Sequence, residues 1–257
     1  IINATNVTLD CNGSEIIGNT SFGVWQKGLL INASHPDFNK SGLVLAYDFE
    51  LGLNDVTDLS GNGWDGTRYG DTNYTSAYYG DGAGFDGSGD YIYSGDIDTE
   101  DRLTAEAWVK TSSVDSNHHY VIGKQKFDDS GWGESTAAGW GLRLENTNHF
   151  ECIVVAESGK KNAEASFTPD TDTWYHLACV WNGTTALLYV NGTLEASTGG
   201  TASEEKIVLN DKQVTLGSHT DSDSFYWEGQ VDQVRLYNRS LSAEEINDTY
   251  NWNVFGY

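Results

Sequence analysis

The sequence predicts an all-β protein: a two-sheet antiparallel jelly-roll sandwich with one short C-terminal helix and a short β-rich N-terminal arm. Three observations carry that reading. From Gly42 onward most apolar runs alternate with polar residues, the two-residue period of a sheet with one face inward. The 257 residues include 29 Gly and only 2 Pro, a composition suited to many short strands joined by tight turns. One segment alone, Ser242 to Asn251, carries helix signals, so a dozen or so strands must bury their apolar faces against each other.

Residues 1–38 form the arm. Its β-branched runs are separated by Asn-Gly or Gly-Asn turns, and His35-Pro36-Asp37 reads as a linker to a domain at 39–257. "GLVLAYDFE" opens that domain. "LTAEAWVKT", "YVIGK", "GWGLRLE", "HFECIVVAE", "WYHLACVWNG", "ALLYVNG" and "QVDQVRLYN" follow as strands. Asn182-Gly183 and Asn191-Gly192 mark tight hairpins. The helix opens on Ser242 and Glu245, which have capping-box spacing. His118-His119 reads as a solvated turn.

Charge and composition narrow the function. Lys and Arg number 14 against 38 Asp and Glu, a net charge of −24. Nucleic-acid binding needs a basic face and is disfavoured. No apolar run reaches the roughly 18 residues of a membrane span. The 9 Trp, 14 Tyr and 9 Phe are too many for a disordered acidic chain. Methionine is absent even at position 1, which reads as a processed or excised piece.

Asparagine points outside the cell. With 20 Asn and 45 Ser or Thr, chance supplies three or four N-x-S/T sequons, yet eleven occur: Asn3, Asn6, Asn12, Asn19, Asn32, Asn39, Asn73, Asn182, Asn191, Asn238 and Asn247. Even without the three Asn-Gly turns of that form, the excess predicts a secreted or cell-surface glycoprotein with most sites exposed. Cys152 and Cys179 lie in strand-like runs, and an oxidising compartment favours a cross-strand disulfide between them over two buried thiols. Cys11 is left over.

Two resemblances are visible. "NVTLDCNG" with the following "I.G" resembles a rung of the right-handed β-helix proteins of the periplasmic copper-binding and pectate-lyase-like superfamily. One or two rungs cannot bury a core alone. From about 42 to 250, "GLVLAYDFE", "DLSGNGWDGT", "GAGFDGSGDYI", "LTAEAWVKT", "WYHLACVWNGTTALLYVNGTL" and "GQVDQVRLYNRSLSAEEI" resemble, in order, the laminin-G-like, concanavalin A-like jelly roll in its pentraxin-related branch. Glycoside hydrolases of that wider fold use paired carboxylates on one strand. No E-x-D triplet, G-x-S-x-G elbow or H-E-x-x-H occurs, so no catalysis is expected.

Calcium is expected instead, because Gly-rich loops hold many carboxylate and carbonyl oxygens. The clusters are 58–65, 86–90 and 96–100, and the candidate ligands are Asp58, Asp90 and Asp232. The last matches the near-ubiquitous Asp of the family's final strand, and the resemblance implies a structural Ca²⁺ between loops at a sheet edge. The other reading is that Asp and Asn favour turns.

Loop aromatics are the candidate sugar-stacking groups: Trp64, Trp132 with Asp128 and Asp129, Tyr226 and Trp227. Trp108, Trp174, Trp181 and Tyr189 read as core or sheet-facing. The acidic surface disfavours anionic glycans such as heparin, a ligand of some laminin-G-like domains, or else is a solubility adaptation. Two functions follow. One is a non-catalytic, calcium-supported extracellular carbohydrate-recognition or adhesion domain, its partners glycans or extracellular proteins. The other is a glycosylated subunit of a filament, sheath or surface layer that self-assembles through its arm.

Overall fold

Alternation along the chain becomes two stacked antiparallel sheets. The computed structural model describes residues 10–11, 14–15, 40–50, 56–126, 137–200, 203–219 and 225–255. The strands are β1 (Asp10–Cys11), β2 (Ser14–Glu15), β3 (Leu43–Tyr47), β4 (Thr67–Tyr69), β5 (Asn73–Ser76), β6 (Asp81–Asp86), β7 (Tyr91–Gly95), β8 (Leu103–Thr111) and β9 (His119–Lys126). They continue as β10 (Ala138–Leu144), β11 (Phe150–Ala156), β12 (Gly159–Glu164), β13 (Trp174–Trp181), β14 (Thr185–Val190), β15 (Thr193–Gly199), β16 (Val214–Leu216) and β17 (Glu228–Tyr237), before helix α1 (Ala243–Phe255). One sheet runs β12-β11-β10-β9-β16-β7-β4. The other runs β15-β14-β13-β8-β17-β6-β5, with β3 also paired to β17. In the arm, β1 pairs with β2 antiparallel, whereas solenoid rungs stack in parallel. The arm sequons Asn3, Asn6, Asn12, Asn19, Asn32 and Asn39 lie outside the described residues.

The two-residue period decides what each strand buries. In β8, Leu103, Ala105, Ala107 and Val109 face the space between the sheets. In β13 the inward set is Leu177, Cys179 and Trp181. Cys152 of β11 and Cys179 of β13 are disulfide-bonded, with Cα atoms 5.0 Å apart. The expected bond forms, and because the two strands belong to different sheets it staples the sandwich through its core. Closing a loop of this length stabilises the fold by about 3–4 kcal/mol in the chain-entropy account.

β17 cannot follow strict alternation, because its apolar residues sit at 231, 234 and 236. A bulge resolves the mismatch. Asp232 lies opposite Trp108 and Arg235 opposite Glu106, so three steps on β17 span two on β8. Gln233 absorbs the extra residue at φ 50°. Val231, Val234 and Leu236 therefore all face inward.

The outer face of the eight-stranded sheet is also covered. Leu43, Ala46, Ala178, Val180, Tyr189 and Tyr237 pack there with Leu241 and Ile246 of the C-terminal segment. The capping box forms as expected: Glu245 N donates to Ser242 Oγ at 3.1 Å, and Ser242 N to Glu245 Oε2 at 2.8 Å. The two Asn-Gly hairpins also form, joining β13 to β14 and β14 to β15. His118 and His119 are not a solvated turn. Both are buried, His118 against Glu145 and His119 between Asp115 and the Tyr226 carbonyl.

Trp227 is a further correction, because it is fully buried in the core. It precedes β17 in phase with Val231, so the pleat turns it inward and it cannot face a ligand.

A charged cluster is buried beneath the outer layer. Glu106 lies 3.5 Å from Arg235 and 3.7 Å from His176, all three essentially inaccessible. Burial pushes the Glu106 carboxyl up to about 7, with Arg235 opposing. Burial, aided by Arg235, pushes the His176 imidazole down to about 3, so it is neutral. A carboxyl raised on folding contributes stability that is fully present below its unfolded value, 4.5, and is lost as pH rises through about 7. The stability of the wild type relative to Glu106→Gln is therefore expected to fall as pH rises across that window and to level off above it. Thermal unfolding of both proteins at a series of pH values checks this.

Candidate binding groove and the carboxylates beside it

Register places five side-chain positions in one row on the outer face of the eight-stranded sheet. Asn73 lies opposite Gly84, Gly84 opposite Gln230, Gln230 opposite Lys110, and Lys110 opposite Trp174. Their strand neighbours Tyr74, Ala83, Val231, Val109 and Tyr175 pack with the core, which turns the row itself outward. Gly84 has no side chain, so the row dips there into a groove of about 340 Å³ that Asn73, Gln230 and Lys110 line. That volume lies in the range of small-molecule sites, about 300–1,000 Å³.

The groove presents polar groups, and an aromatic cluster stands beyond Lys110 in the same row. Gln230 Nε2 donates to Thr75 Oγ1 at 3.1 Å and to the Ser76 carbonyl at 3.0 Å. Its Oε1 is buried without a partner. Lys110 Nζ sits 5.3 Å from the centre of the Trp174 ring and makes no ion pair among the described residues. Trp174 meets Tyr78 edge-on at 5.8 Å, and Tyr78 stacks on Trp108 at 3.5 Å. The Asn73 side chain is exposed and makes no hydrogen bond among the described residues.

Carboxylates close one end of the groove. Asp71, Asp86 and Asp90 bring oxygens within 4.8 Å of one another. Asp90 is buried and accepts the Asp71 amide at 2.8 Å and the Asp86 amide at 3.1 Å. Burial, then the charges of Asp86 and Asp71, hold its carboxyl above the ordinary range against those amides.

A second acidic group lies further along the same face, entirely inside. Asp48, Glu50 and Asp232 are 5%, 8% and 0% exposed. The Tyr79–Asp81 turn wraps them: Tyr79 N donates to Asp232 Oδ2 at 2.9 Å, and Asp81 N to Glu50 Oε1 at 3.2 Å. Gly80, at φ 57°, is required between them, because a Cβ there would lie 2.2 Å from both Glu50 oxygens. Glu50 Oε2 has no hydrogen-bond partner among the described residues. Burial raises all three carboxyls, Glu50 to about 7, Asp232 well above its usual value and Asp48 less. Neighbouring carboxylates add to the shift on Glu50 and Asp232, while Arg235 counters that on Asp48.

The sequence candidates separate on this geometry. Trp132, Asp128 and Asp129 lie outside the described residues. Trp64 is half-buried, its ring lying over Gly95 and its carbonyl accepting the Tyr47 hydroxyl at 2.6 Å. Tyr226 is half-buried, its carbonyl engaged by His119. Neither belongs to the groove. Asp58 is a loop knot that accepts Ala46 N, Ser60 N, Ser60 Oγ and Trp64 N at 2.7–3.0 Å. Four donors occupy its oxygens, so it is not an open metal ligand. In the 96–100 cluster, Asp96 and Asp98 pair with the buried ammonium of Lys124, a cation supplied by the protein itself. Of the described sequons, Asn73, Asn238 and Asn247 are exposed. Asn182 and Asn191 are half-buried, their side-chain carbonyls tied to turn and strand amides.

Sequence reasoning missed Lys110, Gln230, Trp174, Asp48 and Glu50. Phase could have found three of them. Lys110 and Trp174 are out of step with the inward residues of β8 and β13, and Gln230 with Val231. Asp48 and Glu50 carry no such signal, because only the fold brings them to Asp232.

A family model described as the concanavalin A-like lectin/glucanases superfamily, Laminin_G_3, matches residues 86–247. A human relative, adhesion G-protein coupled receptor D1, is 31% identical over 84 residues, 32% of this chain and 10% of the receptor. Botulinum neurotoxin serotype D ligand binding domain, solved with N-acetylneuraminic acid, superposes with a TM-score of 0.65 at 18% identity, over 84% of this chain and 52% of that one. Domain 4 of AbnA, an extracellular arabinanase from Geobacillus stearothermophilus solved with arabinotriose, gives 0.55 at 19% identity, over 81% of this chain and 98% of that one. At these identities the structural likenesses show the fold. The chain spans about half the length of the neurotoxin domain and a tenth of the receptor.

The hydrogen bonds of Asp58 make it structural. Asp58→Ala leaves buried donors unsatisfied and is expected to cost more than about 2 kcal/mol of stability, with no rescue by added calcium, as read by urea unfolding with and without the ion.

Proposed function

Because the chain belongs to the concanavalin A-like lectin/glucanases superfamily, we propose that it is a non-catalytic carbohydrate-recognition or adhesion domain that works outside the cell with calcium as a structural cofactor. The observation that carries this reading is the row Asn73, Gly84, Gln230, Lys110 and Trp174. A glycine floor admits a ring, amide and ammonium groups meet vicinal hydroxyls, and Trp174 ends the row beneath the Lys110 ammonium. The sugar complexes of the neurotoxin and arabinanase domains support the ligand class. The adhesion receptor relative and the sequons support the location. No helix among the described residues is long and apolar enough to cross a membrane.

The non-catalytic reading rests on the sequence, which lacks the paired-carboxylate strand that glycoside hydrolases of this fold use. The groove's carboxylates are the Asp71, Asp86 and Asp90 trio, whose oxygens gather within 4.8 Å, and Asp172. With Asp71, Asp86, Asp90 and Asp172 against Lys110, the site favours neutral sugars over anionic ones.

Asp232, Glu50 and Asp48 are the residues that would hold a calcium ion, and their oxygens would have to draw together on it, because among the described residues only Asp71, Asp86 and Asp90 bring three ligand oxygens within 4.8 Å of one another. Three buried carboxylates share one nearby guanidinium, and the unpartnered Glu50 Oε2 has an oxygen to offer a hard cation. Bound there, Ca²⁺ supplies the positive charge that lets all three ionise. It would tie the end of β3, the Tyr79–Asp81 turn and the β17 bulge together behind the groove.

Two outcomes are expected. On an array of neutral oligosaccharides, Lys110→Ala and Trp174→Ala each weaken binding by about tenfold or more, about 1.4 kcal/mol, without change in melting temperature. A blank array for the wild type would sink the carbohydrate reading. Millimolar Ca²⁺ raises the melting temperature of the EDTA-treated protein, and Asp232→Asn abolishes that rise. An equal rise in the variant would place the ion elsewhere.

A further inference from the structure

The groove contains its own modification signal. Asn73-Tyr74-Thr75 is an N-x-T sequon, and both its Asn and its Thr line the groove. Tyr74 between them turns to the core, with the Arg68 guanidinium 5.0 Å over its ring. That places Asn73 and Thr75 on the same outward face. β5 is the last strand of its sheet order, which leaves the modified edge open to solvent. The Asn73 side chain reaches across Gly84, its Oδ1 lying 2.8 Å from where a Cβ on that glycine would sit. Its amide nitrogen, the atom a transferase would glycosylate, is not engaged within the described residues. Asn182 and Asn191 differ in place: they lie outside the groove, half-buried, with turn and strand amides donating to their Oδ1 atoms.

We infer that an N-linked glycan on Asn73 is the groove's tethered occupant, so that the glycosylated chain is closed to external sugars and the unmodified chain is open. The gating half rests on the reading of the groove as a site for external sugars, whereas the occupancy half asks only for affinity toward the tethered glycan itself. A sugar fixed at the groove wall has an effective concentration on the order of millimolar. An intrinsic dissociation constant well below millimolar then keeps the groove filled, and an external glycan must displace the tethered one. Lys110, two strands beyond Gly84 in the same row, is the reporter, because a sugar over Gly84 and Gln230 covers its ammonium.

The test uses the full chain secreted from a host that adds N-glycans, compared with Asn73→Gln and Asn238→Gln from the same host. Peptide mass mapping reads occupancy, and acylation by an activated ester reads the accessibility of Lys110 against the exposed Lys206. The expected result is a glycan on Asn73 and acylation of Lys110 severalfold slower in the wild type and in Asn238→Gln than in Asn73→Gln, with Lys206 unchanged throughout. An unmodified Asn73 in protein that carries a glycan at Asn238, or equal Lys110 rates in all three proteins, overturns the inference. For the gating half, wild type made without N-glycosylation is expected to bind a neutral oligosaccharide that the glycosylated wild type does not. Equal binding by the two forms overturns gating. Binding by neither, with Lys110 protected, would instead sink the reading of the groove as a site for external sugars and leave the tethered occupant standing.

Discussion

The outer face of the eight-stranded sheet depends on one irregularity, the bulge at Gln233. Without it, the apolar residues of β17 could not all point inward, because they sit three and then two residues apart. The extra residue turns Val231 and Val234 to the core, and in the same act turns Gln230, Asp232 and Arg235 outward. Each of those three anchors something: Gln230 the groove row, Asp232 the buried carboxylate group, Arg235 the cluster with Glu106 and His176. A one-residue slip in this strand would exchange core for surface along its length.

Burying charge is costly, and the molecule meets the cost in different ways at different points. Lys124 answers Asp96 and Asp98. Backbone amides answer Asp58. Glu106 has Arg235, with His176 kept neutral beside them. For Asp48, Glu50 and Asp232 the described residues supply amides and a share of Arg235, which leaves Glu50 Oε2 without a hydrogen-bond partner among them. That imbalance, more than any loop motif, is the argument for a cation.

The same layer relates structure to binding. The disulfide and the inward aromatics hold the two sheets as one rigid body, so the row from Asn73 to Trp174 is presented on strands and not on loops. A site on strands keeps its spacing, which suits recognition of a ring with hydroxyls at fixed positions. Tyr78, stacked on Trp108 and set against Trp174, extends the aromatic wall from the groove to the segment that wraps the carboxylates.

Much of this was legible beforehand. Alternation in "LTAEAWVKT" and "WYHLACVW" placed strands, Ser242 and Glu245 placed the helix start, and the turn residues placed the hairpins, because each of those signals is local. The same phase could have shown that Lys110 and Trp174 leave the core, and that Trp227 enters it. Composition and spacing could not show that Asp58 is a knot, that Lys124 neutralises Asp96 and Asp98, or that Asp48 and Glu50 join Asp232 across about 180 residues. The sequence by itself determined the fold class, the helix and the exclusion of a basic ligand face. Only the tertiary structure decided which carboxylates keep a free oxygen and which side chains share a row, because those depend on register between strands far apart in the chain.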